Sequence, residues 1–397
     1  MTRPFEGVRI LDFTQVLAGP LASYQLSVLG ADVIKVERPD GEEMRGSRGP
    51  GGQTGLKTSP GWISINANKR SIALDLKDPT VVEIIKRLVV DTDVVMENFR
   101  PGVMDRLGIG YDTLSEINPL LIYCGVSGFG RDGPLKDAPS YDGKIQAMSG
   151  IMSITGYEDT GPLRAGFAVC DTTAGMTAAF GIASALFQRT HTGKGQLIDV
   201  AMYDSALTMQ APAVADFTIA GREPKPCGNR AISGLPTADL FPVKDGNILL
   251  AANNEKQFIA LMKAIDREDV LDDPRFVDWH ARLENEDALV KIINDVFADA
   301  DADTWEARLL ESDVPCAQIQ SVGQAVSHPQ LQHRDYLQTV DGPDGPITLG
   351  TTGFQLANGN AALERSFAQV GEHADEVLGE AGYSEEEILE FHAQGVI

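Results

Sequence analysis

Apolar positions in the first half of the chain follow two alternating patterns. Short unbroken runs at Val8 to Phe13, Asp32 to Glu37, Ser71 to Leu76, Asp93 to Glu97 and Leu120 to Val126 predict strands buried on both faces. Between them, Leu17 to Leu29 carries apolar residues at helical spacing and stops at Gly30. Asp78-Pro79 opens a second helix through Val90, with proline at an early helical position. This strand–helix–strand order implies parallel pairing and an α/β sheet. The Gly- and Arg-rich stretch from Arg38 to Pro60 reads as an ordered loop or lid.

A long helix rich in small residues is expected from Asp171 to Arg189, then a strand at Gln196 to Met202 and one helix to about Ala220. The segment GREPKPCGN has linker composition. Thr237 to Lys244, Asp245-Gly246 and Asn247 to Ala252 form a hairpin signal. Helical periods dominate from Glu255 to about Leu310, and residues 339–356 suggest a second hairpin. The last helix opens at Ser384, with Glu387 placed for a capping box. The plan is a large α/β domain over 1–220, a smaller α+β domain over 225–330, and a return at 331–397 that completes the first.

A chain of 397 residues, 43% hydrophobic and 23% charged, has globular composition and suits two domains. The net charge of −24 makes nucleic acid an unlikely partner, because an acidic body repels phosphate backbones. The four cysteines (124, 170, 227 and 316) lie far apart and read as reduced, mostly buried thiols. No HxH or HExxH pattern occurs, so no metal site is expected. The start MTRPFEGVRILDF has no leader pattern, and no apolar run approaches the ~20 residues of a membrane span. A cytoplasmic protein with no membrane partner is expected.

The first strand–helix turn, TQVLAGPLASYQLSVLG, lacks GxGxxG, which argues against a nicotinamide oxidoreductase. Neither a phosphate-binding GxxxxGK[ST] nor a GxSxG nucleophile elbow is present. Positive charge on this acidic chain gathers in the first domain, at Lys35, Arg38, Arg45, Arg48, Lys69, Arg70, Lys77, Arg100 and Arg106. Cations at strand ends would clamp an anionic ligand, although each could equally be a solvated surface charge. Asp171, after the run GFAVC, reads either as a helix N-cap or as a carboxylate nucleophile at the positive end of a helix dipole.

Nearly the whole chain resembles the class III CoA-transferases, the family of formyl-CoA:oxalate and carnitine CoA-transferases and of α-methylacyl-CoA racemase. The resemblance rests on ordered motifs: DFTQVLAGPLA, LGADVIKVERP, NKRSIALDLK, ENFRPG, SGFGRDGP, CDTTAG, TGKGQLIDVAMYDS and GEHADEVL. It implies that Asp171 is the catalytic carboxylate, with Tyr141 beside it. It assigns contacts to coenzyme A, a substrate and not a tightly bound cofactor, to Arg38, Leu74, Asp75, Lys77, Asn98, Phe99 and Arg106. It implies CoA transfer between small carboxylic acids through an aspartyl-CoA intermediate. It also implies an interlocked homodimer, each subunit a Rossmann-like domain built from both chain ends with a small domain inserted.

Leu17 stands where the oxalate enzyme has glutamine, Arg48 where it has tryptophan, and its glycine-rich loop is not recognisable after Gly228. These departures argue against oxalate as acceptor, and the resemblance implies another dicarboxylate, such as succinate, mesaconate or a malate relative, since such acceptors are common in the family. Arg45, Arg48 and Arg164 are the arginines expected to meet its second carboxylate. The alternatives are an acyl-CoA racemase, disfavoured because Tyr141 replaces the racemase histidine, and a non-catalytic CoA-binding protein. The glycines at 125, 128 and 130 and the helix start after Asp171 are the expected oxyanion donors.

Overall fold

The computed structural model describes residues 2–46 and 58–397. The chain divides into two compact units, one of residues 1–151, 165–220 and 329–397, the other of 152–164 and 221–328.

The first unit is built on six parallel strands: β1 (Arg9–Asp12), β2 (Asp32–Glu37), β3 (Arg70–Ala73), β4 (Val94–Glu97), β5 (Ile122–Ser127) and β6 (Gln196–Ala201). Their spatial order is β3-β2-β1-β4-β5-β6. The expected parallel α/β sheet is therefore present, and the order reverses between β1 and β4. A crevice opens beyond the carboxyl ends of the strands at such a reversal. The helices are α1 (Ala18–Val28), α2 (Pro60–Ile63), α3 (Pro79–Val89), α4 (Val103–Arg106), α5 (Tyr111–Ile117), α6 (Asp142–Met148), α7 (Ile151–Ile154), of which only Ile151 belongs to this unit, α8 (Val169–Thr192), α9 (Met202–Met209) and α10 (Ala211–Ala220).

Both faces of the sheet are covered, which is why its strands read as unbroken apolar runs. On one face Ile10, Val94, Met96, Ile122 and Cys124 pack with Ala174, Ala178 and Ile182 of α8. On the other, Leu11, Ile34, Val95 and Tyr123 pack with α3 and with Val377, Leu378 and Ile388 from the chain's far end. Asp78 caps α3 by accepting from the amide of Thr80, and Pro79 follows at its first position.

The expected single helix after β6 is two. It breaks at Gln210, whose side chain bonds the carbonyls of Ser149 and Ala206. Pro212 then lies near the start of α10, where its missing amide proton costs nothing.

The second unit holds β7 (Leu240–Val243) and β8 (Gly246–Leu250), the expected Asp-Gly hairpin, extended by β9 (Cys316–Gln318). Helices α11 (Glu255–Ala264), α12 (Trp279–Glu284), α13 (Glu286–Phe297), α14 (Ala302–Glu311) and α15 (Val322–Val326) accompany them. Its separate core gathers Phe241, Ile248, Phe258, Leu261, Phe297 and Trp305.

The first unit resumes with α16 (Pro329–His333) and the hairpin of β10 (Leu337–Gly342) and β11 (Gly345–Gly350), then α17 (Ala374–Glu380) and α18 (Glu385–Gln394). Ser384 and Glu387 form the expected capping box. Among the described residues no helix is long and apolar enough to cross a membrane. Cys124 and Cys170 are buried free thiols as expected, whereas Cys227 is exposed.

Candidate active site

The turn after β1 is held from both sides. Asp12, fully buried at the strand's end, accepts from the amide (2.9 Å) and hydroxyl (2.5 Å) of Thr14, from Ser23 Oγ (2.5 Å) and from Lys69 Nζ (3.0 Å). Lys69 places its other donors on the Pro20 carbonyl (3.1 Å) and Asn66 Oδ1 (2.9 Å), so all three ammonium protons are used. Lys35 donates to the Thr14 carbonyl (2.9 Å). Burial alone would raise the Asp12 carboxyl, but Lys69, Lys35 and the hydroxyls of Ser23 and Thr14 hold it below its ordinary value. Burial pulls Lys69 down to about 8 despite Asp12.

One residue on, Asn98 at the end of β4 clamps Gln15. Its Oδ1 accepts from the Gln15 amide (2.8 Å) and its Nδ2 donates to the Gln15 carbonyl (2.7 Å). The two strands at the reversal point are thus tied through their following turns. Val16 comes next with φ 68°, a left-handed conformation that a β-branched side chain resists by about 1–3 kcal/mol. The clamped residues before it and the start of α1 after it impose that conformation.

Val16, Leu17 and Ala18 form one wall of a cavity of about 250 Å3. Its other walls include Gln15, Asn98, Phe99 and Arg100 after β4, Ser127 and Gly128 at the end of β5, Lys136 and Ser140, then Tyr141 and Asp171. A Val16→Gly replacement is expected to leave stability within about 1 kcal/mol, since released strain offsets added chain entropy, while turnover falls as the wall loosens. Denaturant unfolding beside steady-state kinetics reads both.

Asp171 is the third residue of α8 and not its cap. The cap position is Ala168, which offers no side-chain acceptor. Asp142, the first residue of α6, serves instead, its Oδ1 accepting from the amides of Cys170 (2.8 Å) and Asp171 (3.4 Å). Burial first, and the Asp142 charge second, push the Asp171 carboxyl up to about 6. Tyr141 is not a packed aromatic: it stands 76% exposed at the cavity rim. Gly128 is required there because a Cβ would fall within 2.4 Å of Ser140 Oγ and Cβ.

A neighbouring, more apolar cavity of about 240 Å3 shares Gln15 and Phe99 with the first. It is lined by Arg38, Leu74, Asp75, Lys77, Val103 and Leu107 among others. The structure therefore gathers Arg38, Leu74, Asp75, Lys77 and Phe99 around one space, and Asn98, Phe99, Tyr141 and Asp171 around the other. Arg106 is exposed on α4 and lines neither cavity.

Several expectations are corrected here. Lys69 and Arg70 are buried and committed, Arg70 to Asp32, Glu376 and Glu380, so neither clamps a ligand, whereas Lys35 is buried, bonds the Thr14 carbonyl and lines the second cavity. Arg45 makes a two-pronged bond with Glu37 (2.7 and 2.5 Å) and stacks 3.9 Å over the Trp62 ring, so it is unavailable to a second carboxylate. Arg164 belongs to the second unit, and Arg48 lies outside the described residues, as does the 47–57 part of the expected loop. Several of the expected oxyanion donors are occupied, although Gly128 lines the cavity. The Gly130 amide bonds Ser127 Oγ (2.9 Å), that of Thr172 bonds the Ala168 carbonyl, and those of Cys170 and Asp171 bond Asp142.

The sequence pattern gave no signal for Lys136, the second residue after SGFGRDGP, nor a role for Val16 and Asp142. Glu97, at the end of β4, is pushed up to about 7 by burial and accepts from the Phe99 amide (2.8 Å). Among the described residues no group of three or more His, Cys, Asp or Glu is placed to hold a metal.

Residues 5–374 match the model of CoA-transferase family III. The chain is 35% identical over 397 residues to the mouse succinyl-CoA:glutarate CoA-transferase, covering all of this chain and 90% of that one. It is 37% identical over 380 residues to the acetyl-CoA:oxalate CoA-transferase of Acetobacter aceti, covering 92% and 96%. The crystal structure of a CAIB/BAIF family protein from Brucella suis superposes with a TM-score of 0.86 at 32% identity, over 96% of this chain and 100% of that one.

Proposed function

The chain belongs to CoA-transferase family III and is a CoA-transferase, and from that premise we propose that it passes CoA to a dicarboxylic acid through covalent acylation of Asp171. The observation that carries this reading is the Asp171 carboxylate in a cavity at the sheet's reversal point, faced by Tyr141. A carboxylate partly shielded from water is more basic than one in solution, and so a better nucleophile, while remaining ionised above pH 6.

In the proposed sequence an Asp171 oxygen attacks the carbonyl carbon of the donor thioester. The C–S bond breaks and CoA leaves as thiolate. The thiolate then attacks the Asp171 carbonyl carbon of the mixed anhydride, expelling the donor acid as its carboxylate and leaving an aspartyl-CoA thioester. The acceptor carboxylate repeats these steps in reverse, and Asp171 returns as a free carboxylate. Each step trades one acyl bond for another, which is how covalent catalysis divides a hard exchange.

The developing oxyanion needs donors already in place. The first amides of a helix have no intrahelical partner, and α1 opens at Ala18 on the cavity wall, so we assign the role there. CoA itself would run between the two cavities, its anionic groups toward Arg38 and Lys77 and its thiol toward Asp171. Glutarate and oxalate, named for the two relatives, are both dicarboxylates, and Arg100 and Lys136 on the Asp171 cavity would meet a second carboxylate.

A homodimer in the cytoplasm belongs to the same proposal. Helix α10, APAVADFTIA, buries none of its residues within the chain, and Phe180 and Phe187 of α8 are 75% and 68% exposed. Apolar faces of this kind call for a partner surface. The test of function is a panel of acyl-CoA donors against isotopically labelled mono- and dicarboxylic acids, with mass spectrometry of the thioesters formed. Labelled dicarboxyl-CoA is the expected product, and label appearing only in monocarboxyl-CoA would overturn the acceptor class.

A further inference from the structure

Asp142 is 6% exposed, charged, and absent from the steps above. We infer that it is a positioning residue for the nucleophile: it withholds the first amides of α8 from Asp171 and sets a like charge against it, so that Asp171 is held as a reactive carboxylate and acylation is favoured. The inference rests on Asp171 being the nucleophile.

The argument begins with what α8 would otherwise do. A carboxylate in the first turn of a 24-residue helix is ordinarily stabilised by unpaired amides and by the helix dipole. Such stabilisation makes it a weaker base and a poorer nucleophile. Here the Asp142 Oδ1 takes the amides of Cys170 and Asp171, and its Oδ2 accepts from Gln146 Nε2 (2.5 Å). The orientation of Gln146 is itself fixed, since its Oε1 accepts from the Ala165 amide (2.9 Å). Both Asp142 oxygens are therefore asked to accept, which suits the ionised form.

The charged and titratable groups about Asp171 are Asp142 and Tyr141 at the start of α6, Cys170 on its own helix, and Lys136 and Arg100 on the cavity walls. Of these, Asp142 is the one that acts with burial to raise the Asp171 carboxyl. Acylation removes the Asp171 charge and with it the repulsion. The mixed anhydride and the aspartyl-CoA thioester are thus both favoured over the free carboxylate.

Asp142→Asn keeps an acceptor for the two amides and deletes the charge. The acidic limb of turnover against pH, near 6 in the parent, is expected to move down by about one unit. Hydroxylamine trapping of Asp171 as its hydroxamate, in the presence of donor thioester, should fall about tenfold, with KM for the donor within about twofold. Asp142→Ser, whose hydroxyl still accepts at the helix start, should give the same shift and covers poor packing of asparagine against Gln146. Asp142→Glu should return the limb toward the parent position. A limb that stays at the parent pH in both neutral variants, with any loss of turnover equal at all pH values, overturns the inference and spares the nucleophile. No hydroxamate at Asp171 in the parent enzyme overturns both.

Discussion

Asp171→Asn is expected to lower CoA exchange by about 10^4-fold or more, the scale on which nucleophile removal acts elsewhere. The amide has no anionic oxygen to attack a thioester, yet fills the same space. The fold should not suffer, because the first amides of α8 are held by Asp142 and not by Asp171. The sign of the stability change follows from proton linkage. The folded-state carboxyl is raised from 3.8 to about 6, so its contribution is complete below pH 3.8 and is lost as pH rises through 6. The neutral variant is therefore at least as stable as the parent at pH 8. In the parent, turnover climbs about tenfold per pH unit below 6 and levels above it, as the carboxylate ionises. Transfer of a labelled acid into CoA thioester measures the first expectation and thermal unfolding the second. Exchange within tenfold of the parent would remove Asp171 from the mechanism.

Lys69→Met is expected to cost about 3–5 kcal/mol of stability, because it strands the buried Asp12 carboxylate. Lys69 is 2% exposed and answers Asp12, Pro20 and Asn66 at once. Methionine fills much of the stem's volume, so the loss reports charge and hydrogen bonding more than a cavity. Adding Asp12→Leu should recover a large part of it, since a buried pair replaced whole by apolar groups is often neutral. Turnover should fall in the single variant even where it is folded, because Asp12 and Thr14 hold the turn that delivers Val16 to the cavity. Denaturant midpoints at pH 7 read the energies, and a single-variant cost below 1 kcal/mol would mean that the network does not hold the turn.

These two positions divide what was legible from what was not. The strands β1 to β6 and helix α3 were readable because their signals are local: apolar runs, a capping Asp, an early Pro. The ordered motifs single out Asp171, and the structure places it on a cavity wall, while its rank as third residue of α8 was not legible, since Ala168 carries no capping side chain. The basic residues misled most. A sequence counts Lys69, Arg45 and Arg70 as free charge, but Arg45 is taken by Glu37 across the turn after β2, and the partners of the other two lie far along the chain. Lys69 meets Asp12 57 residues away, and Arg70 meets Glu380 310 residues away. Val16 gave no signal because β-branched residues rarely turn left-handed, and only the clamps on Thr14 and Gln15 force it to. Asp142 reads as an ordinary helix-start acid until α6 is brought against α8.

Gly175 lies one helical turn beyond Asp171. A Cβ there would come within 2.6 Å of the Ala18 carbonyl oxygen and 3.2–3.3 Å of the Leu21 side chain. The helix that carries Asp171 and the strained turn thus meet across a gap gauged by a missing methyl group. Even alanine would act as a wedge, prising α8 from α1 and displacing the carboxylate from a thioester held at the opposite wall. Such an enzyme would retain every reactive group and lose their alignment, so the tolerance of the chemistry is set at a residue that takes no part in it.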